Sequence, residues 1–180
     1  MKLVLIAGPS GAGKDSVIRG AATLLKDDPR FYFARRMVTR DYPQPGEIPV
    51  STETFDQLTA SGHFAKTWQA HQLSYGLPRE EMQPEHPAVQ ILIANVSRTV
   101  LHELLAEYGG HVLYITASPT EIRRRLEKRH RESPASIQER IERSVSLPEH
   151  LPMTTIHNDG LLEEAIEQCV QSLQSLLEVR

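Results

Sequence analysis

"GPSGAGKDS", residues 8–16, decides how this chain folds. It matches the loop pattern G-x-x-x-x-G-K-[ST] at Gly8, Gly13 and Lys14, and departs from it once. Asp15 stands where a Ser or Thr hydroxyl normally follows the lysine. The preceding KLVLIAG is a short apolar run that reads as a strand, and the following KDSVIRGAATLLK reads as a helix. That strand–loop–helix context is what the loop's chemistry requires. Gly8, Gly11 and Gly13 let backbone N–H groups turn inward around an anion, and the helix N-terminus adds positive dipole. Lys14 then reaches the β- and γ-phosphates of a nucleoside triphosphate. Gly8, Pro9, Ser10, Gly11, Ala12, Gly13, Lys14, Asp15 and Ser16 are therefore the candidate ATP-binding residues, with Mg²⁺ as companion ion.

The rest of the chain repeats the alternation. VQILIAN, HVLYITA and MTTIHND read as strands, and SRTVLHELLAEYGG, SPTEIRRRLEKRH and LLEEAIEQCVQSLQSLLEVR as helices. Ser118 is placed as an N-cap, with Pro119 at the first helical position and Glu121 as its capping-box partner. Such alternation predicts a mostly parallel sheet covered on both faces, the three-layer α/β/α arrangement of P-loop NTPases. Residues 35–87, rich in Pro, Gly and aromatic side chains, break the pattern and read as an inserted substrate-binding region. The expected organisation is a single domain over 1–180, with its core at 1–34 and 88–180. Between Pro119 and Arg143 there are eight Lys or Arg against five Glu. These arginines flank a break, RHRESPAS, which suits a lid over about 125–140 closing on phosphates; an ordinary solvated helix face is the alternative.

Asp15 raises a question of charge, because a carboxylate beside phosphates repels them unless a cation is shared. The third strand, ILIANVSR, lacks the acid that usually helps hold Mg²⁺ there, and Asn95 occupies its place. Asp15 is accordingly read as the anionic metal ligand, direct or through water. In the competing reading it is a favourable acid in a helix's first turn, and Ser16 holds the metal.

Composition bounds the function. At 180 residues, 39% hydrophobic and 24% charged, the chain suits one globular domain, and a net charge of −3 disfavours general nucleic-acid binding. No apolar run is long enough to span a membrane. A cytoplasmic location is expected, and monomer and homodimer both stay open. Cys169, the single cysteine, sits in an apolar helical pattern and reads as a core residue. Trp68 reads as core or as a ligand-stacking ring. The eight histidines show no metal-ligand spacing.

GPSGAGK, TRDYPQPGE, the Tyr75–Gly76 pair, the arginine-rich break and Asn158–Asp159 together resemble the guanylate kinase family, in order and over nearly the whole chain. GKDS, RRMVTRD, FAKTWQAHQLSYG, NVSR and HNDG are more specifically similar to the ribose 1,5-bisphosphate phosphokinases of phosphonate breakdown. The resemblance implies ATP-dependent phosphorylation of a small phosphorylated sugar, ribose 1,5-bisphosphate, to 5-phosphoribosyl 1-diphosphate (PRPP). It also implies that the Asp15 and Asn95 peculiarities are family features.

Departures from guanylate kinases carry information. Their T-R-x-P-R-x-G-E segment has two arginines; here Arg40 remains, the segment is one residue longer, and Pro43 or Gln44 stands at the second. The guanine-reading Glu falls on Lys66, which can accept no hydrogen bond. The Ser after Tyr-Gly is Leu77, and IPVSTETF has no base-contacting tyrosine. By resemblance, Arg36, Arg40 and Tyr75 bind acceptor phosphates, with Lys66 and Arg98 as additions. Arg129, Arg131 and Arg140 neutralise the transferring phosphoryl group from the lid, and Asn158 lies where adenine is contacted. Two other functions stay open, a nucleoside monophosphate kinase with an altered base pocket and a non-catalytic guanylate-kinase-like binding module. Lys66 argues against the first and the intact loop against the second.

Overall fold

The central strand β1 (Lys2–Ala7) explains the layering by itself. Its side chains alternate, so Leu3, Leu5 and Ala7 enter one apolar cluster and Val4 and Ile6 enter the other. A strand buried on both faces needs a cover on each, and the neighbouring elements supply it. α1 (Lys14–Leu24) and α5 (Leu162–Ser175) pack on the Val4/Ile6 side through Val17, Ala21, Ala165 and Cys169. On the other side α3 (Leu101–Tyr108) contributes Leu101 and Leu104. The structure, a computed structural model, describes residues 1–42, 44–70, 72–128 and 150–177.

β1 lies in a five-stranded sheet of order β2-β7-β1-β8-β9, formed with β2 (Phe31–Ala34), β7 (Ile91–Asn95), β8 (His111–Thr116) and β9 (Met153–His157). Every pairing in it is parallel. The mostly parallel α/β sheet is thus as expected. The edge strand β2 is an addition, since FYFA is too short and too irregularly buried to show a period.

Residues 36–78 hold a second, four-stranded sheet, β4-β3-β6-β5. Its strands are β3 (Arg36–Val38), β4 (Glu47–Pro49), β5 (Phe64–Ala70) and β6 (Leu73–Pro78). α2 (Thr52–Ala60) follows β4, with Ser51 Oγ accepting the Thr54 N–H at 3.1 Å as its cap. Phe55 of α2 stacks on Phe64, ring centroids 4.8 Å apart. Trp68 is buried and lies parallel to Tyr75 at 5.7 Å, which settles its reading as core. Cys169 is fully buried as well, and burial pushes its thiol up to about 12.

α4 (Pro119–Lys128) starts as expected, the Glu121 N–H donating to Ser118 Oγ at 3.3 Å. The capping partner differs. The Ser118 N–H donates to Asp159 Oδ1 at 2.6 Å, across the loop after β9, while Glu121 receives Arg124 and Arg125. Long-range geometry here overrides a local box. Arg129, Arg131 and Arg140, and with them nearly all of the expected lid, lie outside the described residues.

Candidate active site

The phosphate loop is held from beneath. Gly13 caps α1 at φ 82°, a left-handed conformation that favours glycine. A Cβ there would also come within 2.4 Å of Asn158 Nδ2. At Gly8 a Cβ would lie 1.9 Å from the Ile115 carbonyl oxygen, so the loop's first glycine is fixed by close approach to β8. Ala12's carbonyl accepts Asn158 Nδ2 at 2.8 Å and Arg125 Nη1 at 3.1 Å. Holding that carbonyl from the protein side keeps a repulsive oxygen off the anion side. Arg125 further donates to the Asn158 carbonyl at 2.8 Å and, through Nε, to Glu121 at 2.6 Å.

Asn158 donates to the loop through Nδ2, while its Oδ1 is buried without a hydrogen-bond partner among the described residues. It is 2% exposed and its amide braces the loop. Arg125 escaped the sequence reading, although Glu121 four residues before it signals a helical ion pair. Glu121 is held down to about 2 by the Arg124 and Arg125 guanidiniums.

The two unusual residues meet. Asn95 Nδ2, at the end of β7, donates to Asp15 Oδ1 at 2.9 Å. Asn95 Oδ1 is buried with no hydrogen-bond partner among the described residues. Lys14 Nζ lies 4.0 Å from the same Asp15 oxygen. The Ser16 N–H donates to the Gly13 carbonyl at 3.0 Å, which places Ser16 in the helix's first turn.

Facing the loop is a clamp from the second sheet. Arg36 Nη2 approaches Asp15 Oδ1 to 3.7 Å and donates to Glu47 Oε1 at 2.9 Å. Arg40 reaches Glu47 Oε2 at 3.3 Å and donates to the Tyr75 hydroxyl at 2.8 Å. Tyr75's ring lies under both guanidiniums, 5.1 Å from that of Arg36 and 5.9 Å from that of Arg40. Glu47, its side chain only 2% exposed, sets the spacing of the two cations. It too escaped the sequence reading, although it is the final acid of TRDYPQPGE. Arg40 Nε is buried without a hydrogen-bond partner among the described residues. Arg36, Arg40 and Lys14 outnumber Glu47 and Asp15 by one, which leaves net positive charge beside a hydroxyl and suits a phosphate. Between α1 and the chain from β2 to β4 lies a cavity of about 350 Å³, lined by Asp15, Phe33, Arg36, Gly46 and Asn95 among others.

Lys66, expected as an addition to the acceptor site, lies on β5. Its ammonium pairs with Glu103 of α3. Arg98 sits half-buried in the short helical turn Arg98–Val100 after β7. Among the described residues no three His, Cys, Asp or Glu side chains gather into a metal site.

The family model for guanylate kinase matches residues 1–179. A ribose 1,5-bisphosphate phosphokinase PhnN from Agrobacterium fabrum is 40% identical over 176 residues, covering 96% of both chains. A protein of the same name from Rhodopseudomonas palustris is 41% identical over 161 residues, 88% of this chain and 81% of that one. Among solved structures, guanylate kinase from Anaplasma phagocytophilum aligns with a TM-score of 0.64 at 16% identity, covering 99% of this chain and 87% of that one. That last likeness is one of fold.

Proposed function

The chain belongs to the guanylate kinase family, on its ribose 1,5-bisphosphate phosphokinase branch, and we propose that it moves the γ-phosphoryl group of ATP onto the 1-phosphate of ribose 1,5-bisphosphate. The products are 5-phospho-α-D-ribose 1-diphosphate and ADP. An oxygen of the acceptor's 1-phosphate attacks the γ-phosphorus, the new P–O bond forms, and the bond to the ADP oxygen breaks. The attacking oxygen is already ionised, so no strong general base is required. The chain's work is positioning and charge neutralisation.

The observation that carries this reading is the clamp of Arg36, Arg40 and Tyr75 opposite a complete phosphate loop, with Arg36 3.7 Å from Asp15. Loop N–H groups and Lys14 hold the donor's phosphates. Arg36, Arg40 and Tyr75 hold the acceptor's 5-phosphate, and the sugar spans the gap with its 1-phosphate toward the γ-position. Lys66, in place of a guanine-accepting acid and paired with Glu103, supports a sugar acceptor over a nucleotide base. Arg129, Arg131 and Arg140 supply the lid's charge in this scheme.

The residues fit Mg²⁺. Asp15, the Ser16 hydroxyl and the partnerless Asn95 Oδ1 are hard oxygen donors, and Mg²⁺ takes only one or two such ligands alongside phosphates and water. Held by Asp15 and the Ser16 hydroxyl, such an ion would supply positive charge against the charge that develops on the transferring phosphoryl group. Asn95 orients Asp15 for it by donating to Oδ1.

Phosphorus NMR of a reaction of ATP, Mg²⁺ and ribose 1,5-bisphosphate tests the assignment. The 1-phosphate singlet should give way to the coupled doublets of a diphosphate as ADP appears. A 1-phosphate signal that persists while ATP is merely hydrolysed would overturn it.

A further inference from the structure

Among the described residues two polar or charged residues are buried as a whole, Asn158, which braces the loop, and Glu81, at 2% exposure. Nothing in the phosphoryl-transfer scheme uses Glu81. Its carboxylate is nevertheless fully engaged. Oε2 accepts the Tyr32 hydroxyl at 2.7 Å and the Arg35 backbone N–H at 2.8 Å. Oε1 accepts Arg35 Nε at 2.9 Å and lies 2.8 Å from Arg35 Nη2.

The places of these partners in the chain matter. Tyr32 lies on β2, in the parallel sheet. Arg35 is the single residue between β2 and β3, where the chain passes from one sheet to the other. Glu81 sits in the short helical turn Glu80–Met82, just after β6, where the chain leaves the second sheet. One carboxylate thus ties the exit from the parallel sheet to the return from the second.

We infer that Glu81 is a positioning residue for the acceptor clamp, fixing Arg35 so that Arg36 is presented to the phosphate site. Side chains alternate along an extended chain. With Arg35 drawn to Glu81, its neighbour must face the opposite way. The exposures agree, Arg35's side chain being 58% exposed and Arg36's 15%. A slip or rotation at residue 35 would swing Arg36 away from Glu47 and Asp15, and would carry Arg40 with it through the shared Glu47. Phosphate clamps tolerate little displacement, since about 1 Å can cost on the order of 10²-fold. The backbone N–H of Arg35 is the decisive contact, because it fixes the main chain where the side chain's fork alone would not.

This inference rests on the proposed acceptor chemistry, and the experiment separates the two. Wild type, Glu81→Gln, Arg35→Ala and Tyr32→Phe are compared by steady-state kinetics and by amide hydrogen exchange. In either orientation the neutral amide of Glu81→Gln sets its N–H₂ donor against a donor, the Arg35 guanidinium on one side or the Arg35 backbone N–H and Tyr32 hydroxyl on the other, so residue 35 is pushed from its place. The substitution should raise the KM for ribose 1,5-bisphosphate about tenfold, the scale of one charge-assisted hydrogen bond, while kcat and the KM for ATP stay within about twofold. Exchange across residues 35–38 should quicken and that of β1 should not. Arg35→Ala retains the backbone contact and should cost about threefold or less in acceptor KM. Tyr32→Phe retains both Arg35 contacts and should behave likewise.

A folded Glu81→Gln protein with wild-type acceptor KM and unchanged exchange at 35–38 overturns the inference. So does a parallel loss in kcat and in both KM values, which marks a general folding defect. If wild type does not turn over ribose 1,5-bisphosphate, the functional reading fails instead. The exchange at 35–38 then decides Glu81 on its own: quickened in Glu81→Gln it supports the positioning role, unchanged it overturns it.

Discussion

Arg40→Ala isolates the acceptor clamp. In the wild-type protein Arg40's guanidinium is split three ways, Nη1 toward Glu47 at 3.3 Å, Nη2 toward Tyr75 at 2.8 Å, and Nε buried without a partner among the described residues. In the proposed scheme the acceptor's phosphate takes two N–H donors from this guanidinium. Two charge-assisted bonds at roughly 1.5–3 kcal/mol each correspond to an acceptor affinity loss on the order of 10² or more. The fold should survive, because Glu47 keeps Arg36 at 2.9 Å and is not left as an uncompensated charge. A stability cost of about 1–2 kcal/mol is expected from the lost Tyr75 bond and stem packing. Steady-state kinetics with the acceptor varied at saturating ATP, then the reverse, read the effect. Acceptor KM should rise about 10²-fold or more while ATP KM changes less than about threefold. Arg40→Lys should recover only part of the loss, since an ammonium offers a point charge where the fork offered an edge. A folded Arg40→Ala protein with wild-type acceptor KM, or one in which ATP KM rises equally, would refute the clamp.

Three further expectations follow from separate parts of the site. Asp15→Asn keeps size but removes the charge that Asn95 orients, so more Mg²⁺ should be needed for half-maximal rate, with a larger loss than from Ser16→Ala; superimposable Mg²⁺ titrations for Asp15→Asn and wild type would return Asp15 to a helix-terminus role. Gly8→Ala places a methyl 1.9 Å from the Ile115 carbonyl oxygen, so the loop must move and ATP-dependent thermal stabilisation should vanish; a retained shift in Tm would show the backbone can yield there. Glu121 is held at about 2 against an ordinary 4.5, chiefly by its hydrogen bonds from Arg124. A carboxylate lowered on folding stabilises above its unfolded value and loses that contribution as pH falls from about 4.5 toward about 2. Glu121→Gln should therefore flatten this part of the acid-unfolding profile, and an unaltered profile would show that the Arg124–Glu121–Arg125 cluster adds nothing to stability.

The parallel layer was legible because its signals are local. KLVLIAG, VQILIAN and HVLYITA are apolar runs of strand length, each followed by a loop or cap and a helical period, and MTTIHND, with only Met153 and Ile156 apolar, takes its place from the same alternation. The loop at Gly8 announces its own geometry, since a glycine pressed on Ile115 and another at positive φ are what the pattern encodes. The second sheet was not legible. β3 and β4 have three residues each, too few for a period, and β3 pairs with β6 some 40 positions away. Glu47, Glu81 and Arg125 were missed for a related reason. A lone acid or arginine has no periodicity, and its meaning arises only when folding sets it beside Arg36, Arg35 or the Ala12 carbonyl. The pairing of Lys66 with Glu103 of α3 is likewise a product of folding that no local pattern announces.

The direct test of the central claim is a side-by-side phosphoryl-transfer assay. Purified protein is given ATP, Mg²⁺ and, at equal concentration, ribose 1,5-bisphosphate, ribose 5-phosphate, GMP, AMP or dTMP. Ribose 1,5-bisphosphate should be phosphorylated fastest and GMP poorly, because the clamp fits a phosphate while Lys66 offers guanine no acceptor. Faster phosphorylation of GMP than of ribose 1,5-bisphosphate would contradict the assignment and make the protein a nucleotide kinase.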